Sequence, residues 1–435
     1  MDVHVPINSS CCAYLRGPRR AQFGVTLLPE RHEIPPEVQL QTGLVTRDPA
    51  SGSVTLRILR SVEEVETLRS FWSSSPGLRD SDIEMYLSGL RNTGVTLRPH
   101  VLVVYRGGEP SALMAGRIDR RRLAFRVGYF NLFKPLANVL TFPYGGLRGD
   151  ACSENCEQLI GGIIESLRNC EADVAILEYL DADSTLFRLA QRAPAFLFRD
   201  YFSPTRPHRK REIAASSEQF YSGLSSNERK HFRKIAKKLA NDFPGRIRVA
   251  YSDDPVELAR MLQIVEDIAK KTWQRRLGHG FEIYPSLLDS LKTQAEKRWL
   301  RIYTLHLADK PCAFWIGAVY QQTFFSDFMG YDPDYALYSP GMYLFSQMME
   351  EFCSQGIKAM DFGFSDEEWK KRFGNVVWRE KTLHLFAPTP KGFSLNAKRA
   401  IALLLHEPIR AILARTELIQ KVKKAWRNMT RAREE

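Results

Sequence analysis

From Val54 onward the hydrophobic pattern switches between two periods. VTLRILRS (54–61) alternates apolar and polar positions as a strand does, and SVEEVETLRSFWSS (61–74) spaces its apolar residues three and four apart, as a helix does. HVLVVYRGGEPSALMAGRID (100–119) reads as a hairpin turning at Gly107-Gly108. TFPYGGLRGD (141–150) ends a strand in a glycine-rich loop; CSENCEQLIGGIIESLRNC (152–170) is helical, with Ser153 or Asp150 as its cap, and ADVAILEYL (172–180) is a buried strand. The same order returns in TFFSDFMGYDPDY (323–335), SPGMYLFSQMMEEFCSQG (339–356) and IKAMDFGF (357–364), a candidate internal repeat in architecture more than in sequence.

Between the copies, the Pro- and Arg-rich run FSPTRPHRKRE (202–212) predicts a junction near residue 206. Beyond it the pattern predicts helices over 225–240, 255–277 and about 284–297, a strand RIRVAYS (246–252), and a strand pair RIYTLHLADKPCAFWIGAVY (301–320). After Pro390 come two helices, about 394–406 and 409–430, interrupted by Pro408. The expected division is a flexible leader (1–52), a first α/β unit (53–205), a second (206–390) and a basic amphipathic helical tail (391–435). Helices flanking mixed sheets make the fold class α/β.

Composition narrows this picture. A chain of 435 residues with 44% hydrophobic and 11% aromatic residues has the apolar area to fold, in two domains by length. Its formal charge of +12 favours an anionic partner: a phosphate-bearing co-substrate, RNA or an anionic membrane surface. The surplus lies around Arg206 to Arg248 and after Lys391. Seven scattered cysteines fit a reduced compartment, and Cys152 and Cys156 have no second pair to complete a zinc site. With no signal-peptide core and no run of about 18 apolar residues, the expected location is the cytoplasm, with membrane contact at most peripheral.

Candidate chemistry centres on Ser339-Pro340-Gly341-Met342-Tyr343. Serine is a favoured N-cap and proline a favoured first helical residue, while Gly341 leaves the first-turn N–H groups approachable by an anion. Any capped helix shares these features. The neighbours add weight: Gly330-Tyr331-Asp332-Pro333, then Ser339-Pro340-Gly341, then Asp361-Phe362-Gly363, then Glu368-Trp369-Lys370 and Gly374. These blocks, in this order, resemble the GNAT superfamily, in particular the CelD-like (cellulose-biosynthesis-type) acetyltransferases, which are related to Fem-type aminoacyltransferases. Leu224 to Arg229 with His231 to Lys234 resembles the basic helix opening the second GNAT unit, and Trp273 with Arg276 resembles the helix after it. Read physically, Ser225 and Glu228 form a capping box, Phe232, Ile235 and Leu239 a buried stripe, and the Lys and Arg residues between them an outward basic face.

The resemblance implies tandem GNAT-like units, the first degenerate, and transfer of an acyl group from acyl-CoA, acetyl-CoA above all, to an amine or hydroxyl. In such enzymes the thioester lies where two strands splay, and catalysis rests on positioning and an oxyanion-holding N–H, without a metal. Mapped here, the splayed strands are about 323–331 and 358–364. Asp361 or Asp327 is then the base, Tyr331 a proton donor to the leaving group and Lys370 an orienting cation. Ser339, Gly341, Met342 and Tyr343 form the pyrophosphate seat, and Arg229, Arg233, Trp273, Arg276 and Trp369 contact substrate. The seat departs from the family pattern, offering one glycine behind Asp332 and Asp334, both repulsive to a pyrophosphate.

The bland alternatives are a carboxylate tying strand to loop at Asp361, a packed tyrosine at Tyr331 and an exposed helical lysine at Lys370. The implied acceptor is a sugar, polysaccharide or cell-envelope precursor, as in exopolysaccharide biosynthesis. Two further readings stay open: a Fem-type transferase using aminoacyl-tRNA, gripped by basic residues from Arg229 to Lys238, and an inactive membrane-peripheral accessory protein of exopolysaccharide assembly. The tail KRAIALLLHEPIRAILARTELIQKVKKAWRNMTRAR suits an interfacial helix on anionic lipid, and equally a helix packed on its own domain.

Overall fold

The computed structural model describes residues 53–91, 97–127, 130–272, 275, 280–364 and 367–415. The expected leader, Trp273, Arg276 and the last part of the tail lie outside the described residues.

In chain order the strands of the first half are β1 (Val54–Leu59), β2 (Arg98–Arg106), β3 (Glu109–Arg122), β4 (Phe125–Val127), β5 (Phe130–Phe133), β6 (Leu136–Phe142), β7 (Leu147–Gly149) and β8 (Val174–Asp181). Those of the second half are β9 (Thr205–Glu212), β10 (Ile247–Ser252), β11 (Leu300–Leu307), β12 (Lys310–Tyr320), β13 (Thr323–Tyr331), β14 (Ala359–Phe364) and β15 (Val376–Phe386). They form one sheet, in the order β1-β2-β3-β6-β8-β15-β9-β14-β13-β12-β11-β10, with β7 beside β3; β4 and β5 make a separate hairpin. Pairing is antiparallel except at β6–β8 and β13–β14.

Both faces of the sheet are covered, which is why β2 reads as a nearly unbroken apolar run. Leu102 and Val104 pack under the helix Ser153–Arg168, while Val101 and Val103 pack against Trp72, Tyr86 and Leu87. The second half repeats the arrangement. Leu305, Trp315 and Phe324 lie under the helices Ser226–Asp242 and Pro340–Gln355; Ile302 and Ile316 face Leu258–Ala269 and Pro285–Glu296. Leu344, Phe345, Met348, Met349 and Phe352 bury one stripe of Pro340–Gln355, contributing on the order of 10 kcal/mol of apolar transfer.

Several expectations change. The run 202–212 is no linker: residues 205–212 are β9, bonded to β14 on one side and β15 on the other. Charged side chains hide it, because its backbone bonds satisfy a strand whose only fully buried side chain is His208. The strand β15, which the pattern leaves unassigned, crosses back to pair with β8 and so joins the halves. The helix over 61–74 breaks into Val62–Glu66 and Arg69–Ser74, and Cys152 rather than Ser153 or Asp150 occupies the cap of Ser153–Arg168, with Asp150 accepting the Cys152 N–H.

Finally, the helix from Pro390 runs unbroken through Pro408 to Arg415. Pro408 is exposed and lacks the N–H that would bond the carbonyl one turn before it. This helix lays Leu395 and Ala402 on Phe125, Val139, Ile176 and Phe386. A buried pair from Arg399 to Asp200 (2.8 Å) holds it to the body.

Candidate active site

The parallel pairing of β13 with β14 covers Thr323–Ala359, Phe324–Met360 and Phe325–Asp361, and stops. Both strands continue, β13 to Tyr331 and β14 to Phe364, so they part beyond Asp361. At the same level the β12–β13 register shifts between Ile316 and Gly317, making Asp327 the extra residue of a bulge.

Asp361 sits where the strands part, 5% exposed. Its Oδ1 accepts a bond from the Gly363 N–H (2.7 Å) and one from His208 Nε2 (2.6 Å). The other His208 nitrogen lies 2.9 Å from Glu380 Oε2, and Glu380 Oε1 accepts the Trp378 indole N–H at 2.8 Å. All three charged groups are buried. The Trp378 ring stacks on the imidazole at 4.2 Å, with the Tyr144 ring at 5.5 Å toward the first half.

Burial alone would lower the His208 pKa, but the two carboxylates overcome it and push it up to about 9. The imidazole is therefore a cation at neutral pH, with both nitrogens committed. It is positioned to orient Asp361, and not to take a proton itself. Because Oδ1 of Asp361 carries both bonds, proton acceptance would fall to Oδ2. Burial, then the charges of Asp361 and Glu380, hold the Tyr144 hydroxyl far above its usual range.

Asp327 has a different surrounding. Arg79, from the first half, donates to both of its oxygens (2.6 and 2.9 Å) and also contacts Asp80 at 2.7 Å. Burial opposes the charge on Arg79, yet these carboxylates hold it firmly protonated. A carboxylate gripped bidentately by a fixed guanidinium is poorly placed to accept a proton, so this geometry ties Asp327 to fastening the halves.

The remaining predicted residues divide. Lys370 is fully buried, contrary to an exposed helical lysine, with Nζ 3.4 Å from the Phe364 carbonyl; it braces the end of β14. Trp369 donates to Glu367 and meets Trp315 and Phe362 edge-on, as part of the core. Arg229 donates to the Ser222 and Leu224 carbonyls behind the short helix Ser217–Ser222, and Arg233 is exposed beside it. The capping box of Ser225 and Glu228 and the stripe of Phe232, Ile235 and Leu239 form as the spacing predicts. Tyr331 is half-buried, its ring beside Gly341.

At the helix start, Ser339 takes the cap position with φ 49° and ψ 52°, and its hydroxyl makes no capping bond. Its carbonyl accepts the N–H groups of Met342 (3.0 Å) and Tyr343 (3.2 Å). Pro340 has no N–H, which leaves Gly341 as the first-turn donor for an anion. A Cβ on Gly341 would meet nothing closer than a Tyr331 ring carbon at 3.9 Å, so the approach is open. Asp332 is turned away to Lys271 (2.6 Å) and the Asp334 N–H, so part of the expected repulsion is neutralised.

Sequence reasoning missed His208, Glu380, Trp378 and Arg79. The one available signal was the spacing of Trp378 and Glu380, two residues apart on one strand face. Their partners come from distant segments of the chain.

Residues 226–371 match the family model for an acetyltransferase (GNAT) domain. No curated protein matches the sequence. Among solved structures, FemX superposes with a TM-score of 0.54 at 11% identity, covering 76% of this chain and 98% of its own. A conserved protein of unknown function from Bacteroides thetaiotaomicron gives 0.46 at 12% identity (77% and 100%), and L-PGS from Bacillus licheniformis 0.43 at 14% (78% and 96%). The chain shares the mixed α/β fold of FemX and carries a GNAT acetyltransferase domain, which makes it an acyltransferase.

Proposed function

We propose that the chain transfers an acyl group, acetyl above all, from acyl-CoA to an amine or hydroxyl of a sugar, polysaccharide or cell-envelope precursor, as CelD-like enzymes of exopolysaccharide biosynthesis do. The reaction takes place where β13 and β14 part. Asp361 is the base. The observation that carries this reading is the Glu380–His208–Asp361 chain, which fixes one carboxylate oxygen at the point where the pairing stops.

In this reading the thioester carbonyl lies against the unpaired edge of β13, whose N–H groups would hold the developing oxyanion. The pyrophosphate meets the Gly341 N–H at the helix start, with Met342 and Tyr343 lining it. Asp361 Oδ2 takes the acceptor's proton as its nitrogen or oxygen attacks the carbonyl; the tetrahedral intermediate collapses, and the thiolate leaves with a proton from Tyr331 or water. His208 keeps its protons throughout.

Calorimetry with acetyl-CoA and longer acyl-CoAs tests the donor, and no heat with any of them would sink it. Asp361→Asn should keep the donor affinity while lowering turnover by about a hundred- to ten-thousand-fold. An unchanged rate would remove Asp361 from the reaction.

One observation favours a second donor. With only Gly341 offering a first-turn N–H, the pyrophosphate seat is thin, while Lys230, Arg233, Lys234 and Lys237 stand exposed on Ser226–Asp242. An aminoacyl-tRNA would use that basic face. Binding of charged tRNA that weakens steeply with salt, in a protein blind to acyl-CoA, would select this reading.

A further inference from the structure

The helix Pro390–Arg415 is apolar on both sides. Leu395, Ala402 and the paired Arg399 face the body. The opposite side presents Phe393, Ile401, Leu404 and Leu405, which are 48%, 45%, 55% and 41% exposed. Ala397, Ala400 and Pro408 fall between them on the same side at 100° per residue, and no charged residue interrupts this stripe.

The apolar surface does not stop at the helix. Asn396 donates to the carbonyls of Leu197 and Arg199 (2.9 and 3.1 Å), docking the turn Phe196–Phe198 beside it. That turn exposes Phe196 (70%) and Leu197 (57%), and the Tyr201 ring stands 5.3 Å from that of Phe196. Two separate elements thus bring large apolar and aromatic side chains to one surface, where single exposed residues would be unremarkable.

From this geometry we infer that the surface is a membrane-docking face that seats on an anionic bilayer, placing Phe196, Leu197, Phe393 and Leu404 among the acyl chains near the headgroups. Charge complementarity selects this occupant over a second copy. The sequence following Arg415 carries Lys421, Lys423, Lys424, Arg427, Arg431 and Arg433 against Glu417, Glu434 and Glu435. Leu418, Ile419, Val422 and Trp426 interleave with them. Basic residues that follow an apolar helix in the sequence are attracted to the negative surface potential of anionic lipid, whereas like charges on two copies of the chain repel. The buried Arg399–Asp200 pair holds this helix to the body. It is independent of the acyl-transfer chemistry.

Co-sedimentation of the full chain with vesicles tests it, using phosphatidylcholine alone and with about one third phosphatidylglycerol. Binding should need the anionic lipid and weaken with salt. The double substitution Phe393→Glu/Leu404→Glu, at exposed positions, should lower the partition coefficient by tenfold or more with an unchanged melting temperature. Leu197→Glu, on the other element, should lower it as well if both form one face. Equal sedimentation of wild type and variants overturns the proposal, as does failure of the wild type to bind. A dimer in sedimentation velocity, lost in the variants and without vesicle binding, would assign the face to a second copy instead.

Discussion

The two halves each contain a parallel strand pair, β6–β8 and β13–β14, spanned by a long helix, yet they differ in what the chain sets beyond the last parallel pair. In the first half the chain leaves β6, bulges out through Gly145 and Gly146, and continues in the same direction as β7 along the same edge of β3. The side chain of Arg148, within β7, is fully buried and donates to the carbonyls of Ser75, Leu78 and Ser81. In the second half β13 runs on to Tyr331 and a short turn before the helix, and Asp361 and its histidine stand where the strands part. The glycine-rich loop belongs to the first half. Its glycines serve tight backbone turning, whereas the copy matched by the family model has a single glycine at the helix start.

If the first half acts mainly as a clamp on the second, the ties between them should dominate stability. Arg79→Met leaves Asp327 buried without its cation and should cost about 3–5 kcal/mol in denaturant unfolding, the largest effect expected here. Replacing both partners, as in Arg79→Met with Asp327→Leu, should recover much of that loss, since no buried charge is then left alone. A single variant as stable as wild type would mean that the tie does not hold the halves together.

Next in size is the pH dependence of His208, the charged centre of the second half. Its pKa is raised from 6.5 to about 9 on folding, so its contribution is fully present below about pH 6.5 and lost as pH rises through 9. The shift corresponds to about 3 kcal/mol. The difference in unfolding free energy between wild type and His208→Gln should therefore shrink by roughly this amount between pH 6 and pH 10. A difference that stays flat with pH would show that the imidazole is neutral in the folded protein.

The loops themselves give the third contrast. Gly149 has φ 84°, and a Cβ there would press on the Ser111 carbonyl and lie 2.8 Å from the Phe71 ring. Gly149→Ala should cost about 1–3 kcal/mol and leave donor affinity alone. Gly341→Ala, in open space, should leave the melting temperature within a degree or so but weaken donor binding. Comparable donor affinity in the two variants would break the assignment of the second loop as the seat.

Much of the architecture was legible because strand and helix periods persist even where both faces are buried, as in β2 and in Pro340–Gln355. The site was legible only in part. Asp361 stood out within its block, but its setting depends on β9 and β15, strands whose charged residues mask their pattern. His208 sits in a run reading as a basic junction, and its meaning appears only when Glu380 and Asp361 arrive on neighbouring strands. Asp327 looked like an equal candidate because nothing in the sequence places Arg79, 248 residues away, against both its oxygens. Burial likewise reverses the reading of Lys370, whose position on a short charged helix suggests solvent.

The smallest expected effect concerns Ser339, which pattern reading makes a hydroxyl cap. Its left-handed backbone and the missing capping bond imply a different role, that of a strained corner which aims the first turn. Ser339→Ala should then cost well under the roughly 1 kcal/mol typical of a lost cap. Ser339→Gly should stabilise by up to about 1 kcal/mol, because glycine adopts this conformation without the Cβ clash. The gain in melting temperature need not improve function: if the corner holds the Gly341 N–H toward the donor, Ser339→Gly loosens it, and the donor dissociation constant should rise while the fold becomes firmer. A Ser339→Ala variant that loses as much stability as Ser225→Ala, where the capping box is complete, would restore the serine to a conventional cap and make the two helix starts of the second half alike.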